Sequence, residues 1–179
     1  MKILALSGSV RGASTTVGLL HAAASLAPAG MAFTFYDRQL EALPQFNPDY
    51  DGEGATPPSS VATLRACIRD ADGVLISCPE YAHGVPGAFK NALDWTVSSG
   101  EFERKPVALL VASPTGGPYA HAALTPTLNV LGANLVLETA LVFSKRHLAA
   151  DGTLVKPADA EAVLSALDRL RTAISQRQT

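Results

Sequence analysis

Charge is scarce in this sequence. Asp, Glu, Lys and Arg make up 17% of the 179 residues, and 14 basic against 16 acidic side chains leave a formal charge of -2. A balance so near neutral gives no reason to expect nucleic acid or an anionic membrane as a partner. Cysteine is also rare. Cys67 and Cys78 form no CxxC pair and no zinc spacing, so two reduced, buried thiols are expected. The four histidines, His21, His83, His121 and His147, show no metal spacing either. No apolar run approaches the ~20 residues of a membrane-spanning helix. The apolar stretch in MKILALSGSVRG is too short for a secretory signal. A soluble, cytoplasmic protein is expected. Three fingerprints are missing as well: GxxxxGK[ST], GxGxxG and GxSxG. Their absence disfavours a P-loop nucleotide site, a dinucleotide fold of the usual kind and a hydrolase elbow.

Apolar residues are plentiful at 47%, enough for a sizeable core and too many for a disordered chain. Length suits one domain, and no repeat or linker divides the chain. A single domain over 1–179 is expected. Apolar runs predict strands at 2–6, 31–36, 73–78, 106–113 and 135–143. Three-to-four-residue spacing predicts helices from about 14, then over 59–71, 86–97, 119–132 and 157–175. Pro126 should kink the fourth helix or mark its true start. The strands are continuous apolar runs, as expected where both sheet faces are covered. The alternation predicts an α/β fold, a five-stranded parallel doubly wound sheet of order 2-1-3-4-5.

In such a sheet, ligands bind at the carboxyl ends of the strands, where the strand order reverses. Three loops meet there. The first, SGSVRGASTT, carries hydroxyls at Ser7, Ser9, Ser14, Thr15 and Thr16 and a cation at Arg11. It runs into a helix start, whose free N–H groups favour an anion. Hydroxyls with one arginine suit a single phosphate monoester. The third strand leads into PEYAHGVPGAFKNALDW, a stiff loop followed by a helix. The fourth leads into SPTGGPYA, where Gly116 and Gly117 allow close approach to the main chain.

Together these loops resemble the NADPH-dependent FMN reductase family, which is flavodoxin-like in fold. GSVRGAST is similar to that family's GSxRxxS loop. PEYAHGVPGAFKNALDW is similar to its PEYN-x-S/G-x-PG-x-x-KNA-x-DW block, and LPQFNPD to its loop after the second strand. Two positions depart: Thr16 and Ala82 stand where asparagine is common. The resemblance implies bound FMN. Ser9, Arg11, Ser14, Thr15 and Thr16 would hold its phosphate. Pro79, Glu80, Tyr81, Ala82, His83 and Gly84 would border the isoalloxazine ring, and Ser113, Thr115, Gly116 and Gly117 would close the other side. It further implies hydride transfer from NADPH or NADH to the flavin, then to a small acceptor: a quinone, azo compound, metal oxyanion or free flavin. No side chain need be an acid, base or nucleophile. A homodimer or homotetramer is implied, with the helix after PEY near the interface. The competing readings are a flavodoxin-type electron carrier, typically more acidic than this chain, and a flavin-binding regulatory module without turnover.

Single residues read as follows. His83 lies where it can touch the ring or substrate, and Tyr81 is a better flavin contact than Trp95, which reads as helix packing. Asp37 reads as a loop cap. Lys90 and Asp94, one turn apart, read as a weak surface pair. The Pro-, Gly- and Asp-rich stretch 44–58 reads as a variable loop that would help build the acceptor pocket.

Overall fold

The computed structural model describes residues 1–52 and 54–177. Five strands, β1 (Lys2–Ser7), β2 (Ala32–Tyr36), β3 (Gly73–Cys78), β4 (Pro106–Ser113) and β5 (Asn134–Val142), form one sheet in the order β2-β1-β3-β4-β5. Every neighbouring pair is parallel. This is the expected flavodoxin-like arrangement, in which β3 lies on the opposite side of β1 from β2.

The helices are α1 (Thr15–Leu26), α2 (Ser59–Asp70), α3 (Gly87–Asp94), α4 (Pro118–Val130) and α5 (Pro157–Arg177). Strand period two sorts the core into two layers. Ile3, Ala5, Leu75, Ala108 and Leu110 face α1 and α5, meeting Leu19, Leu20, Val163, Leu167 and Leu170. Leu4, Leu6, Val74, Ile76, Val107 and Leu109 face the other side, with Leu64, Phe89, Trp95 and Leu124. β3 and β4 are buried throughout, whereas the edge strands β2 and β5 are partly exposed.

Two expected helices differ in extent. α4 begins at Pro118, so Pro126 lies inside it and does not start it. Pro118 sits in the first turn, where its missing N–H costs nothing. α3 stops at Asp94. Beyond it the Trp95 carbonyl accepts from Arg65 Nε at 2.8 Å instead of continuing the helical ladder.

The stretch after β2 is held down firmly. The Pro44 carbonyl accepts from both Asn91 Nδ2 and Trp95 Nε1 at 2.9 Å. Asn91 Oδ1 accepts the Phe46 amide at 2.7 Å. Phe46 meets Trp95 edge-on, with ring centroids 5.1 Å apart. Further along, Asp51 pairs with Arg65 and accepts from Ser98 Oγ at 2.6 Å.

Candidate functional site

The loop between β1 and α1 is knotted by its own hydroxyls. Ser7 Oγ accepts the Ser9 amide at 3.2 Å and lies 3.2 Å from Thr16 Oγ1. Thr16 Oγ1 is also 2.7 Å from Ser14 Oγ. Ser14 is the cap of α1, accepting the Thr16 amide at 3.3 Å. Ser9 Oγ accepts the Arg11 amide and touches the Tyr81 hydroxyl, both at 3.2 Å. Ser9 and Thr16 are therefore buried and spend their hydroxyls inside the protein. Beneath them, Gly8 passes close over β3. Its amide donates to the Ser77 carbonyl at 2.8 Å, and a Cβ there would come within 2.6 Å of Cys78 Sγ. Burial raises the Cys78 thiol far above the ordinary thiol range. It stays protonated and is no nucleophile.

The loop after β3 makes a two-residue reverse turn. Tyr81 and Gly84 exchange amide-to-carbonyl bonds at 3.1 and 3.0 Å. Ala82 and His83 between them both have positive φ, 49° and 56°. A turn of this hand favours Asn-Gly at its centre. Asparagine and histidine tolerate the left-handed region, but alanine meets the Cβ penalty of about 1–2 kcal/mol. The asparagine of the family pattern thus has a backbone reason at position 82, independent of any ligand. Ala82→Asn is expected to stabilise the protein by about 0.5–1 kcal/mol, seen as a higher urea midpoint with an unchanged slope. An unchanged or lower midpoint would refute the strain.

Glu80 has a structural partner that sequence reading missed. α4 starts with Gly117 and Pro118 and has no cap of its own. The Glu80 carboxylate reaches across and accepts the Tyr119 and Ala120 amides at 2.7 and 2.9 Å. Gly117, at φ 66°, is required by packing: a Cβ would stand 2.5 Å from Val111 Cγ1. Ser113 and Thr115 bond to each other at 3.1 Å, and the Gly116 amide donates to the Ser113 carbonyl at 3.0 Å. His83 stacks on Tyr119 with centroids 4.3 Å apart.

A cleft of about 340 Å³ opens over these carboxyl ends. Arg11, Ser14 and Thr15 line it from the first loop, Pro79, Glu80 and Tyr81 from the third strand's loop, and Ser113 with Ala112 and Pro114 from the fourth. Ser144 and Lys145, just beyond β5, complete the wall. Ser9, Thr16, Ala82, His83, Gly84, Thr115, Gly116 and Gly117 are not in its lining. They hold the walls or lie beyond the rim. The sequence signal for Ser144 and Lys145 was a serine and a cation at the carboxyl end of the strand beside β4. A roomier cleft of about 440 Å³, bordered by Lys2, Leu4, Thr34, Cys67 and Asp70, lies away from the three loops.

The cleft fits the phosphate end of FMN. It has the helix start of α1, two hydroxyls beside it and the Arg11 guanidinium, which has no ion-pair partner among the described residues. The Ser144 hydroxyl is buried and has no hydrogen-bond partner among the described residues, as is the case for Ser77 Oγ and His147 Nε2. Among the described residues, no group of three or more His, Cys, Asp or Glu gathers to hold a metal, and no helix is long and apolar enough to cross a membrane.

Comparison with known proteins agrees with this geometry. The chain is 43% identical over 95 residues to a 2-hydroxy-1,4-benzoquinone reductase from Burkholderia, covering 53% of this chain and 49% of that protein. It is 34% identical over 141 residues to an NADPH:quinone oxidoreductase of Arabidopsis thaliana, covering 76% and 69%. Against several curated relatives, such as the Burkholderia protein, the matched stretch spans about half of their length. Among solved structures, a flavoenzyme NAD(P)H:(acceptor) oxidoreductase from Paracoccus denitrificans superposes with a TM-score of 0.82 at 27% identity, covering 98% of this chain and 97% of that one. The family described as NADPH-dependent FMN reductase matches residues 1–147. With that match spanning all five strands and the three loops at their carboxyl ends, the chain belongs to the NADPH-dependent FMN reductase family.

Proposed function

We propose that the protein is an FMN-dependent oxidoreductase that draws reducing equivalents from NADPH or NADH and delivers them to a small acceptor: a quinone, azo compound, metal oxyanion or free flavin. The observation that carries this reading is the cleft, where α1, the Arg11 guanidinium and the hydroxyls of Ser14 and Thr15 converge at the point of strand reversal. FMN, the cofactor of this family, supplies the two-electron chemistry when bound. The chain's own residues bind and orient. Arg11, Ser14 and Thr15 grip the phosphate. The inward-held Ser9 and Thr16 keep that loop in shape. Pro79, Glu80 and Tyr81, with the turn through Ala82, His83 and Gly84, wall the ring on one side. Ser113, Thr115, Gly116 and Gly117 wall it on the other. The exposed rings of Tyr81 and Tyr119 and the His83 imidazole stand beside the cleft, which suits a planar aromatic acceptor.

Residues 1–179 act as one domain, in the cytoplasm, where both thiols stay reduced; Cys67 and Cys78 are unpaired. Two copies pair across the groove between α3 and α4. Val97 and Val130 are 59% and 83% exposed there, beside Leu93, Pro126 and Leu131. Exposed apolar side chains gathered in one groove favour a partner, and sedimentation velocity measures whether a dimer or tetramer forms.

The test of function is reconstitution. Apoprotein mixed with FMN should turn yellow, and NADPH or NADH should bleach it without air. Addition of a quinone, an azo dye, chromate or free flavin should then restore the colour. Failure to take up FMN, or a bound flavin that neither nucleotide bleaches, would defeat the proposal.

A further inference from the structure

Resting on the FMN reading above, we infer that Ser144 and Lys145 form the second half of the phosphate site, facing Arg11 from the β5 side. Both line the same cleft as Arg11, Ser14 and Thr15. The Ser144 hydroxyl is buried and makes no hydrogen bond within the protein. A buried hydroxyl without a partner forfeits the bonds it made in water. Lys145 is exposed, with no ion-pair partner among the described residues. The cleft therefore holds two unpaired cations against one carboxylate, Glu80, already engaged by α4.

The backbone around the pair is pinned on both sides. Before it, Phe143 is buried and its amide donates to the Ser113 carbonyl at 2.8 Å. After it, His147 is buried with Nδ1 3.0 Å from Asp159. Leu148 then packs so closely on α1 that a Cβ at Gly18 would come within 2.5 Å of it. Between these anchors lies one 3-10 turn, Lys145–His147. Lys145 is thus presented at the cleft rim on a fixed support, next to the first turn of α1. A phosphate dianion lying over that turn would receive a planar guanidinium from one side and an ammonium from the other, and the Ser144 hydroxyl, shut off from the cleft in the free protein, would turn about its Cα–Cβ bond to donate between them.

The test compares FMN with riboflavin, which has the same ring and no phosphate. Apoprotein is titrated with each, reading the quenching of flavin fluorescence. Lys145→Gln should weaken FMN about tenfold, within the range for a hydrogen bond to a charged group, and leave riboflavin unchanged. Lys145→Arg should keep most of the FMN preference. Arg146→Gln, which alters the next exposed cation outside the cleft lining, should change neither. The inference is overturned if Lys145→Gln keeps the full preference of FMN over riboflavin. It is also overturned if that variant weakens both ligands equally, or if Arg146→Gln loses as much as Lys145→Gln. A native protein that binds neither flavin defeats the FMN reading itself, a result distinct from all of these.

Discussion

Trp95→Ala should lower the unfolding free energy by about 3–5 kcal/mol, the usual range for truncating a buried large aromatic. Trp95 is fully buried, meets Phe46 edge-on and donates its indole N–H to the Pro44 carbonyl. Alanine would leave a cavity under the stretch after β2 and remove one of two donors from that carbonyl. Trp95→Phe should cost less, because most of the packing remains. Urea unfolding followed by circular dichroism gives the midpoint shift. Hydrogen exchange locates it: amides over 43–51 should lose protection well before those of β3, which is buried on both faces. Equal loss in both places would show that Trp95 serves the core in general and does not clamp this stretch.

Arg11→Ala should weaken FMN binding by about 1.5–3 kcal/mol, the range for a hydrogen bond to a charged group. The apoprotein should unfold as before, since Arg11 is exposed and has no ion pair among the described residues to lose. Added salt separates a charge contact from a shape effect. The native affinity should fall as ionic strength rises, and the variant's should fall less. Equal affinity in the two proteins would place the guanidinium outside the phosphate site. Reduced thermal stability of the apoprotein would assign it a structural role instead.

Much of this was legible in the sequence because it is written locally. The bounds of β3 and β4 coincide with their apolar runs, Gly73–Cys78 and Pro106–Ser113. The order of strands followed from alternation and handedness. Trp95 packs in the core, as its spacing suggested, and Lys90 pairs with Asp94 at 2.6 Å on the surface. Asp37 caps a short turn through its bond to the Arg38 amide. What stayed hidden depends on distant residues meeting. Nothing near Asn91 announces that its amide group will take both the Pro44 carbonyl and the Phe46 amide. The stretch 44–58 reads as a variable loop by composition, and Asn91, Trp95 and Arg65 tie its first half to the body. Ser144 and Lys145 join the cleft only because β5 lies beside β4. Thr16 and Ser9 look like ligand hydroxyls in a list of residues. Only folding shows them turned inward, stitching the loop that presents Arg11.

The cap of α4 has a consequence for how the chain acquires its shape. The first turn of that helix has no local side chain to close it, and Glu80 lies 39 residues from Tyr119. A helix with its own N-terminal serine can flicker into existence alone. This one gains its last two amide bonds only after β3 and β4 have aligned, a contact that must first overcome the entropy of a long closed loop. The wall of the cleft and the beginning of α4 are therefore coupled, since the carboxylate that walls one caps the other.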